Sequence, residues 1–413
     1  MATTVTLKKG EGRTIKSGGA WIFDNEIDTI KGTFKNGAIC QVEDFDGYKM
    51  GTGYINQNSK IRVRMLTRDP KQEIDSEFFR MRVQNAWDYR KNVMKKKADL
   101  KCARIIFGEA DFLPGLTIDR YEDVLVVECL ALGMEQFKKD IVLLLIDCMK
   151  KDGETINIVY ERSDAREREK EGLKKVKGIL YKNDYYTEAE AKEHVRSVQI
   201  NENGVKYTVD VENGQKTGFF LDQKYNRLAM QKICENKRVL DCFTHMGTFA
   251  LNAGLGGARE VEGLDISEYA IEQAKANAKL NNLEDTVGFR VANVLDELPK
   301  LYEAGERYDV VILDPPAFTK SRQATKNAIK GYREINMKGL KLVKDGGYFA
   351  TCSCSHFMTQ ELFTKTIKEA AKATHKRLRQ IEFRTQAMDH PILWAADESY
   401  YLKFYIFQVV WEK

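Results

Sequence analysis

An open, mainly parallel α/β sheet, preceded by a small β-barrel-like module and a small α+β region, is the architecture this sequence predicts. Three observations carry that expectation. A chain of 413 residues is longer than one hydrophobic core usually serves, so two or three domains are expected. The opening stretch reads as short alternating runs punctuated by glycine, as in "GAICQVEDFDGYKMGTGYIN". Beyond residue 230 the pattern changes to short apolar strands alternating with longer helical segments, the rhythm of a parallel sheet covered by helices.

The elements follow in order. From Val5 to about Met65 the alternating runs predict a mostly β module. After Asp69-Pro70 comes a helical stretch. Then "ADFLPGLTIDRYEDVLVVECL" places a Pro-Gly turn ahead of strand-like runs, which predicts a second, α+β region. The third region opens with "VRSVQINENGVKYTVDV", two runs joined by Asn-Gly turn residues, a hairpin pattern. Four strand–helix pairs follow it. "NKRVLDCF" leads to "GTFALNAGLGG", "REVEGLDIS" to "EYAIEQAKANAKLNNL", "YDVVILDPP" to "ATKNAIKGYREINMKGLKLV", and "GGYFATCSC" to "TQELFTKTIKEAAKA".

Composition excludes some classes. With 43% hydrophobic and 31% charged residues and no apolar run long enough to cross a bilayer, no membrane partner is expected. "MATTVTLKKGEGRTIKSGGAWIF" lacks the apolar segment and small-residue cleavage pattern of a secretory signal. The 8 cysteines have no framework spacing, so reduced thiols in a cytoplasmic protein are expected. A net charge of +5, from 66 basic against 61 acidic residues, permits an anionic partner without demanding one. The basic run "RKNVMKKKADLKCAR" fits either a solvated helix face or phosphate contacts.

Ligands of open α/β sheets bind beyond the carboxyl ends of the strands, so the strand ends are the candidate site. They carry Asp241, Asp265, Asp314 and the pair Cys352 and Cys354. The loop after Asp241, "CFTHMGTF", matches neither GxGxxG nor GxxxxGK[ST], so it advertises neither a dinucleotide nor a triphosphate. Asp265, 24 positions after Asp241, can accept hydrogen bonds from both hydroxyls of a ribose. In "LDPPAF", Pro315 and Pro316 stop the strand and hold the Asp314 carboxylate in a stiff presentation, suited to a base's exocyclic amine or protonated ring nitrogen.

Three chemistries fit the two cysteines. A zinc site would need about four ligands, whereas "CSC" with His356 supplies three in a cramped span, and distant His390 or Cys242 would have to complete it, so no metal is expected. Buried packing is the second. The third is a nucleophile facing the ligand crevice, placed to attack an electron-poor ring carbon.

Taken together, the motifs resemble the bacterial 23S ribosomal RNA (cytosine-5) methyltransferases that carry an N-terminal PUA domain, a branch of the class I S-adenosylmethionine-dependent methyltransferases. The resemblance spans nearly the whole chain. It rests on "GGAWIFDNEI", "GTGYINQNSKIRVRML", "RIIFGEADFLPGLTIDRY", "GQKTGFFLDQKYNR", "VLDCFTHMGTFALNA", "LDPPAFTKSR", "GYREINMKGLKLVKDGGYFATCSCSHFM" and "FRTQAMDHP". It implies a PUA β barrel over residues 1–72, a central α+β domain over 73–190, and a Rossmann-like methyltransferase domain with its leading hairpin over 191–413.

The resemblance also implies residue roles. S-adenosylmethionine is the expected cofactor, contacted by Phe220, Asp222, Gln223, Asp241, Asp265 and Asp314. Position 293 departs from the pattern, with Asn293 where an aspartate often accepts from the adenine amine; its carbonyl retains that capacity. By register from the "GG" at 346–347, Cys354 is the implied nucleophile and Cys352 a strand residue upstream, with Asp314 holding the base. Ala317 stands where two-cysteine relatives carry a product-release thiol. The implied chemistry is attack of Cys354 on cytosine C6, methylation at C5, then proton loss and sulfur release, on a single-stranded or flipped-out base. The implied partner is 23S ribosomal RNA, and a homodimer is the suggested assembly. Two other readings stay open: a guanine-nitrogen methyltransferase, which needs no thiol, and a non-catalytic RNA-binding assembly factor.

Overall fold

Short β-branched runs bounded by glycine turns make sheets, and the apolar faces of those sheets select the helices that cover them. The computed structural model describes residues 3–319 and 322–412. The chain divides into two units. One comprises Met1–Ile200, Val209–Leu221 and Met388–Ser399, and the other Asn201–Thr208, Asp222–Ala387 and Tyr400–Lys413.

The first unit holds two sheets. A six-stranded sheet runs in the order Trp21–Phe23, Ile61–Thr67, Lys49–Ile55, Ile39–Glu43, Thr4–Leu7 and Ile27–Lys31. Alternate side chains fill its core, with Val5, Leu7, Ile22, Cys40, Val42 and Val63 at 2% exposure or less. Gly51 has φ 131°, and a Cβ there would sit 2.1 Å from the Thr67 carbonyl oxygen, so the strand pair closes only on glycine. A five-stranded sheet follows, ordered Val176–Lys182, Ile158–Ser163, Val124–Cys129, Leu116–Tyr121 and Cys102–Phe107. The helix Ser76–Val93 starts at Asp75, whose side chain accepts from the Phe78 amide at 2.8 Å, and buries Phe78, Phe79, Val83 and Trp87 in the core shared with this sheet.

Polar bonds tie the two sheets of this unit together. The Tyr54 hydroxyl donates to the Pro114 carbonyl at 2.8 Å, and Arg64 Nη2 pairs with Glu171 Oε1 at 3.0 Å. Residues 388–399 are pinned to the same unit: Asp389 accepts from the Arg104 amide at 2.8 Å, and its carbonyl from Arg90 Nη2 at 2.9 Å.

The second unit is built on a seven-stranded sheet. Its strands are β1 Arg238–Cys242, β2 Glu260–Asp265, β3 Val287–Val291, β4 Tyr308–Leu313, β5 Val343–Ser353, β6 Lys376–Arg384 and β7 Lys403–Trp411. Its helices are α1 Lys224–Gln231, α2 Thr248–Leu255, α3 Glu268–Leu280, α4 Val294–Glu303, α5 Thr325–Leu342 and α6 Gln360–Ala373. The order across the sheet is β3-β2-β1-β4-β5-β7-β6, and β7 alone runs opposite to the other six strands. β1 to β5 leave their carboxyl ends along one edge, and the order reverses at β1, between β2 and β4, the switch point where ligands of such sheets sit.

The four strand–helix pairs expected from the sequence are β1–α2, β2–α3, β4–α5 and β5–α6. Three strands lie outside that reading. β3 is short and half exposed, and β6, "KRLRQIEFR", alternates charged and apolar residues with none of them buried. β7 is an apolar run, inserted antiparallel between β5 and β6, a placement that no local pattern announces.

Candidate active site

The apolar residues Val239 and Leu240 bury β1 completely, and the strand delivers Asp241 into the same environment at 0% exposure. Its Oδ2 accepts from Thr244 Oγ1 at 2.5 Å and from the Ala250 amide at 2.9 Å. Its Oδ1 is buried with no hydrogen-bond partner. Burial first, then the negative charges of Asp314 and Asp265, push this carboxyl up to about 7. The loop that follows bends sharply, with Phe243, His245 and Gly247 all at positive φ. At Gly247 a Cβ would lie 2.7 Å from the Phe289 ring, so this glycine serves the packing of β3 against the loop.

β2 delivers Asp265, half-buried. Its Oδ2 accepts from the His245 amide at 2.9 Å and its Oδ1 from the Ser267 amide at 3.0 Å. The carboxylate is thereby fixed in direction, and each oxygen keeps a lone pair for a further donor.

β4 and β5 are parallel neighbours with Leu313 opposite Thr351, so the next residues along, Asp314 and Cys352, meet at the sheet edge. Cys352 Sγ donates to Asp314 Oδ1 at 2.7 Å, and Gln223 Nε2 reaches the same oxygen at 3.2 Å and the sulfur at 3.5 Å. Asn226 on α1 orients that glutamine by donating to its Oε1 at 2.6 Å. Burial pushes Asp314 up to about 6, with Asp222 adding to the rise and the Cys352 bond opposing it. Cys352 is 0% exposed, and burial together with the Asp314 charge holds its thiol well above the ordinary range, a poor state for a nucleophile. Cys354 lies just beyond the last residue of β5 and is half-buried.

The other sequence-predicted residues divide between the units. Asp222 and Gln223 sit in the second unit, where Asp222 Oδ2 accepts from the Tyr401 hydroxyl at 2.8 Å and its carbonyl from the Ala387 amide at 2.8 Å. Phe220 belongs to the first unit, with Lys216 Nζ 4.5 Å from its ring centroid. Asn293 caps α4 from an exposed position, its Oδ1 accepting from the Leu295 amide at 3.2 Å and its Nδ2 donating to Asp296 at 2.8 Å.

Sequence reasoning missed Asn226 as the partner of Gln223. It also missed Lys403, whose ammonium reaches the Ser355 carbonyl at 2.6 Å. A single lysine inside the apolar run "YLKFYIF" was the available signal. Among the described residues no group of three or more His, Cys, Asp and Glu forms a metal-binding cluster, and no helix is long and apolar enough to cross a membrane.

The chemistry of the site can be tested against S-adenosylmethionine. Asp222, Asp241, Asp265 and Asp314 gather acceptors where a phosphate site would gather donors. Two of these carboxyls are pushed up by burial and mutual repulsion, a condition that a cationic ligand relieves. Asp241 Oδ1 has an acceptor to spare. A cationic nucleoside without phosphates fits this set.

Comparisons with known proteins agree. The family model described as S-adenosylmethionine-dependent methyltransferase matches residues 165–390, and that of a PUA-like domain matches residues 5–68. A protein of Aliivibrio fischeri (strain ATCC 700601 / ES114) named Ribosomal RNA large subunit methyltransferase I is 38% identical over 411 residues, covering 99% of this chain and 100% of that one. A protein of the same name from Shewanella frigidimarina (strain NCIMB 400) is 38% identical over 409 residues, covering 98% of each. Among solved structures, a candidate SAM-dependent methyltransferase from Streptococcus mutans superposes with a TM-score of 0.80 at 21% identity, covering 99% of this chain and 100% of that one. Another candidate methyltransferase, solved in complex with SAH, gives 0.81 at 21% identity with the same coverage. The β3-β2-β1-β4-β5-β7-β6 sheet, the acidic strand ends and these relatives lead to one conclusion: the chain belongs to the S-adenosylmethionine-dependent methyltransferase family, in the branch with an N-terminal PUA-like domain whose curated members are named Ribosomal RNA large subunit methyltransferase I.

Proposed function

We propose that this enzyme methylates C5 of a cytosine in 23S ribosomal RNA through a covalent bond between Cys354 and C6 of the base. The observation that carries the reading is the division of labour at the end of β5. Cys352 is buried and bonded to Asp314, whereas Cys354 stands past the strand end and is half-buried. A nucleophile needs access and a carboxylate needs a fixed direction, and the two thiols separate those tasks. The names of the curated relatives support ribosomal RNA as the substrate class.

In this reading Cys354 attacks C6 as a thiolate, forming the S–C6 bond and placing electron density on C5. Asp314, held by Cys352 and Gln223, hydrogen-bonds N3 and the N4 amine of the base; its carboxyl, raised to about 6, can share a proton with N3 near neutral pH. S-adenosylmethionine, when bound, supplies an electrophilic methyl group on a sulfonium. Loss of the C5 proton and cleavage of S–C6 regenerate Cys354. Asp265 takes the ribose hydroxyls, Asp241 and Asp222 the positive end of the cofactor, Gln223 its flank, and Asn293 the adenine amine. Asn293 would give up part of its cap to do so.

Residues 1–72 would capture RNA, residues 73–190 would join them to the methyltransferase segment 191–413, and the enzyme would act in the cytoplasm as a homodimer. The test is unmodified 23S RNA with labelled cofactor, followed by mapping of the labelled base. RNA carrying 5-fluorocytosine should trap an adduct, because fluorine does not leave as the C5 proton does, and peptide mass analysis should place it on Cys354. Label on a guanine nitrogen, or binding without transfer, would replace this reading with a guanine methyltransferase or an assembly factor.

A further inference from the structure

Among the described residues, one buried cation with no acidic ion-pair partner interacts electrostatically with the proposed nucleophile. Lys403 on β7 is 1% exposed, although an ammonium is costly to bury without a counter-charge. In the antiparallel pairing of β5 and β7 its cross-strand partner is Ser353. Its Nζ donates to the Ser355 carbonyl at 2.6 Å and to the Tyr401 carbonyl at 2.8 Å. The ammonium is therefore anchored to the carbonyl of the residue that follows Cys354, while the Lys403 backbone pairs with the residue that precedes it. Among the described residues no aspartate or glutamate forms an ion pair with it. Two carbonyls use two of its three protons, leaving one N–H to direct at a further acceptor.

We propose that Lys403 is a positioning residue that holds Cys354 as a thiolate at neutral pH, its ammonium serving as the counter-charge of that sulfur. The thiol proton passes to solvent, and the thiolate that remains completes the polar shell of the ammonium. Burial lowers Lys403 to about 8, and the charge of Cys354 opposes that fall, so the ammonium keeps its proton at pH 7. Cys352 does not compete for the role, since its thiol stays protonated on Asp314. The other groups around the pair are Tyr332, whose hydroxyl meets Ser353 at 2.9 Å, Tyr400, whose ring centroid is 5.6 Å from Nζ, and exposed His356. Asp314 and, through it, Asp222 are the acids on the β4 side. Tyr332 and Tyr400 are pushed upward by burial and stay neutral, so they supply no competing anion at pH 7.

The inference rests on Cys354 as the nucleophile, and the alkylation that decides it needs neither RNA nor turnover. The full-length protein is alkylated with iodoacetamide across pH 5 to 10, and peptide mass analysis follows the Cys354 label. The expected inflection lies at least one pH unit below about 8.5, the value of an ordinary thiol. Lys403→Met should raise it to 8.5 or above and cut methyl transfer at pH 7 about tenfold or more, with recovery toward pH 9; Lys403→Arg should restore the low inflection. An inflection at or above 8.5 in the unaltered protein overturns the proposal whether or not any variant folds. An unchanged inflection in a folded Lys403→Met protein overturns it as well. A low inflection that moves with Lys403, in a protein that forms no 5-fluorocytosine adduct, would instead separate a true ion pair from a failed assignment of the reaction.

Discussion

Replacing Asp241 with asparagine should make the cofactor-free protein more stable at pH 8, even though it alters the proposed cofactor site. Asp241 is fully buried, and its carboxyl is pushed from 3.8 to about 7, first by burial and then by Asp314 and Asp265. Because the folded value is raised, the stabilisation it contributes is present at low pH and lost as pH rises through about 7. That gap, at about 1.4 kcal/mol per pH unit, sets an upper bound of about 4 kcal/mol, of which about 3 is lost between pH 5 and 8. Asparagine carries no charge, so the variant lacks this slope. It keeps an acceptor for Thr244 and Ala250 but turns the unpartnered Oδ1 position into a donor, at a cost of about 1–3 kcal/mol. Urea unfolding of both proteins at pH 5, 6, 7 and 8, without cofactor, reads the difference. The variant should be the weaker protein at pH 5 and should gain on the natural chain by about 3 kcal/mol by pH 8. Parallel profiles would refute the reasoning, because they would mean that Asp241 titrates alike in the folded and unfolded chains.

Cofactor affinity should itself rise about tenfold from pH 5.5 to 7.5 as the raised carboxyls of Asp241 and Asp314 ionise to face a cation, measured by calorimetry; a flat profile would remove them from the site. Asp265→Ala should weaken cofactor binding by about 1–3 kcal/mol with the fold intact, by the same measurement. Cys354→Ala should abolish methyl transfer and spare cofactor binding, whereas Cys352→Ala should keep measurable activity while freeing Asp314 Oδ1 of its thiol donor; full activity in Cys354→Ala would sink the nucleophile assignment. In the first unit, Glu171→Ala leaves buried Arg64 with Glu109 alone and removes the side-chain acceptor shared by Asn56 and Ser59, so thermal or urea unfolding should show a loss of about 1.5–3 kcal/mol.

The sequence by itself determined the alternation of β1, β2, β4 and β5 with their helices, because strand and helix periods differ and each segment shows its own. It also determined which residues stand at or beside the strand ends, since Asp241, Asp265, Asp314 and the two cysteines all close apolar runs, and the double proline after Asp314 stops its strand there. Their individual environments were not legible, because they depend on strand order. Cys352 bonds Asp314 because β4 and β5 pair in parallel with Leu313 opposite Thr351, a register that no local pattern encodes. Residues 388–399 join the first unit through Asp389, whose partners Arg90 and Arg104 lie nearly 300 residues earlier in the chain. Lys403 reaches the Ser355 carbonyl because β7 inserts antiparallel between β5 and β6, and only that insertion brings residue 403 opposite residue 353. Local periodicity fixes which residues are buried and where a chain must turn; it takes the pairing of distant strands to fix which buried charges meet.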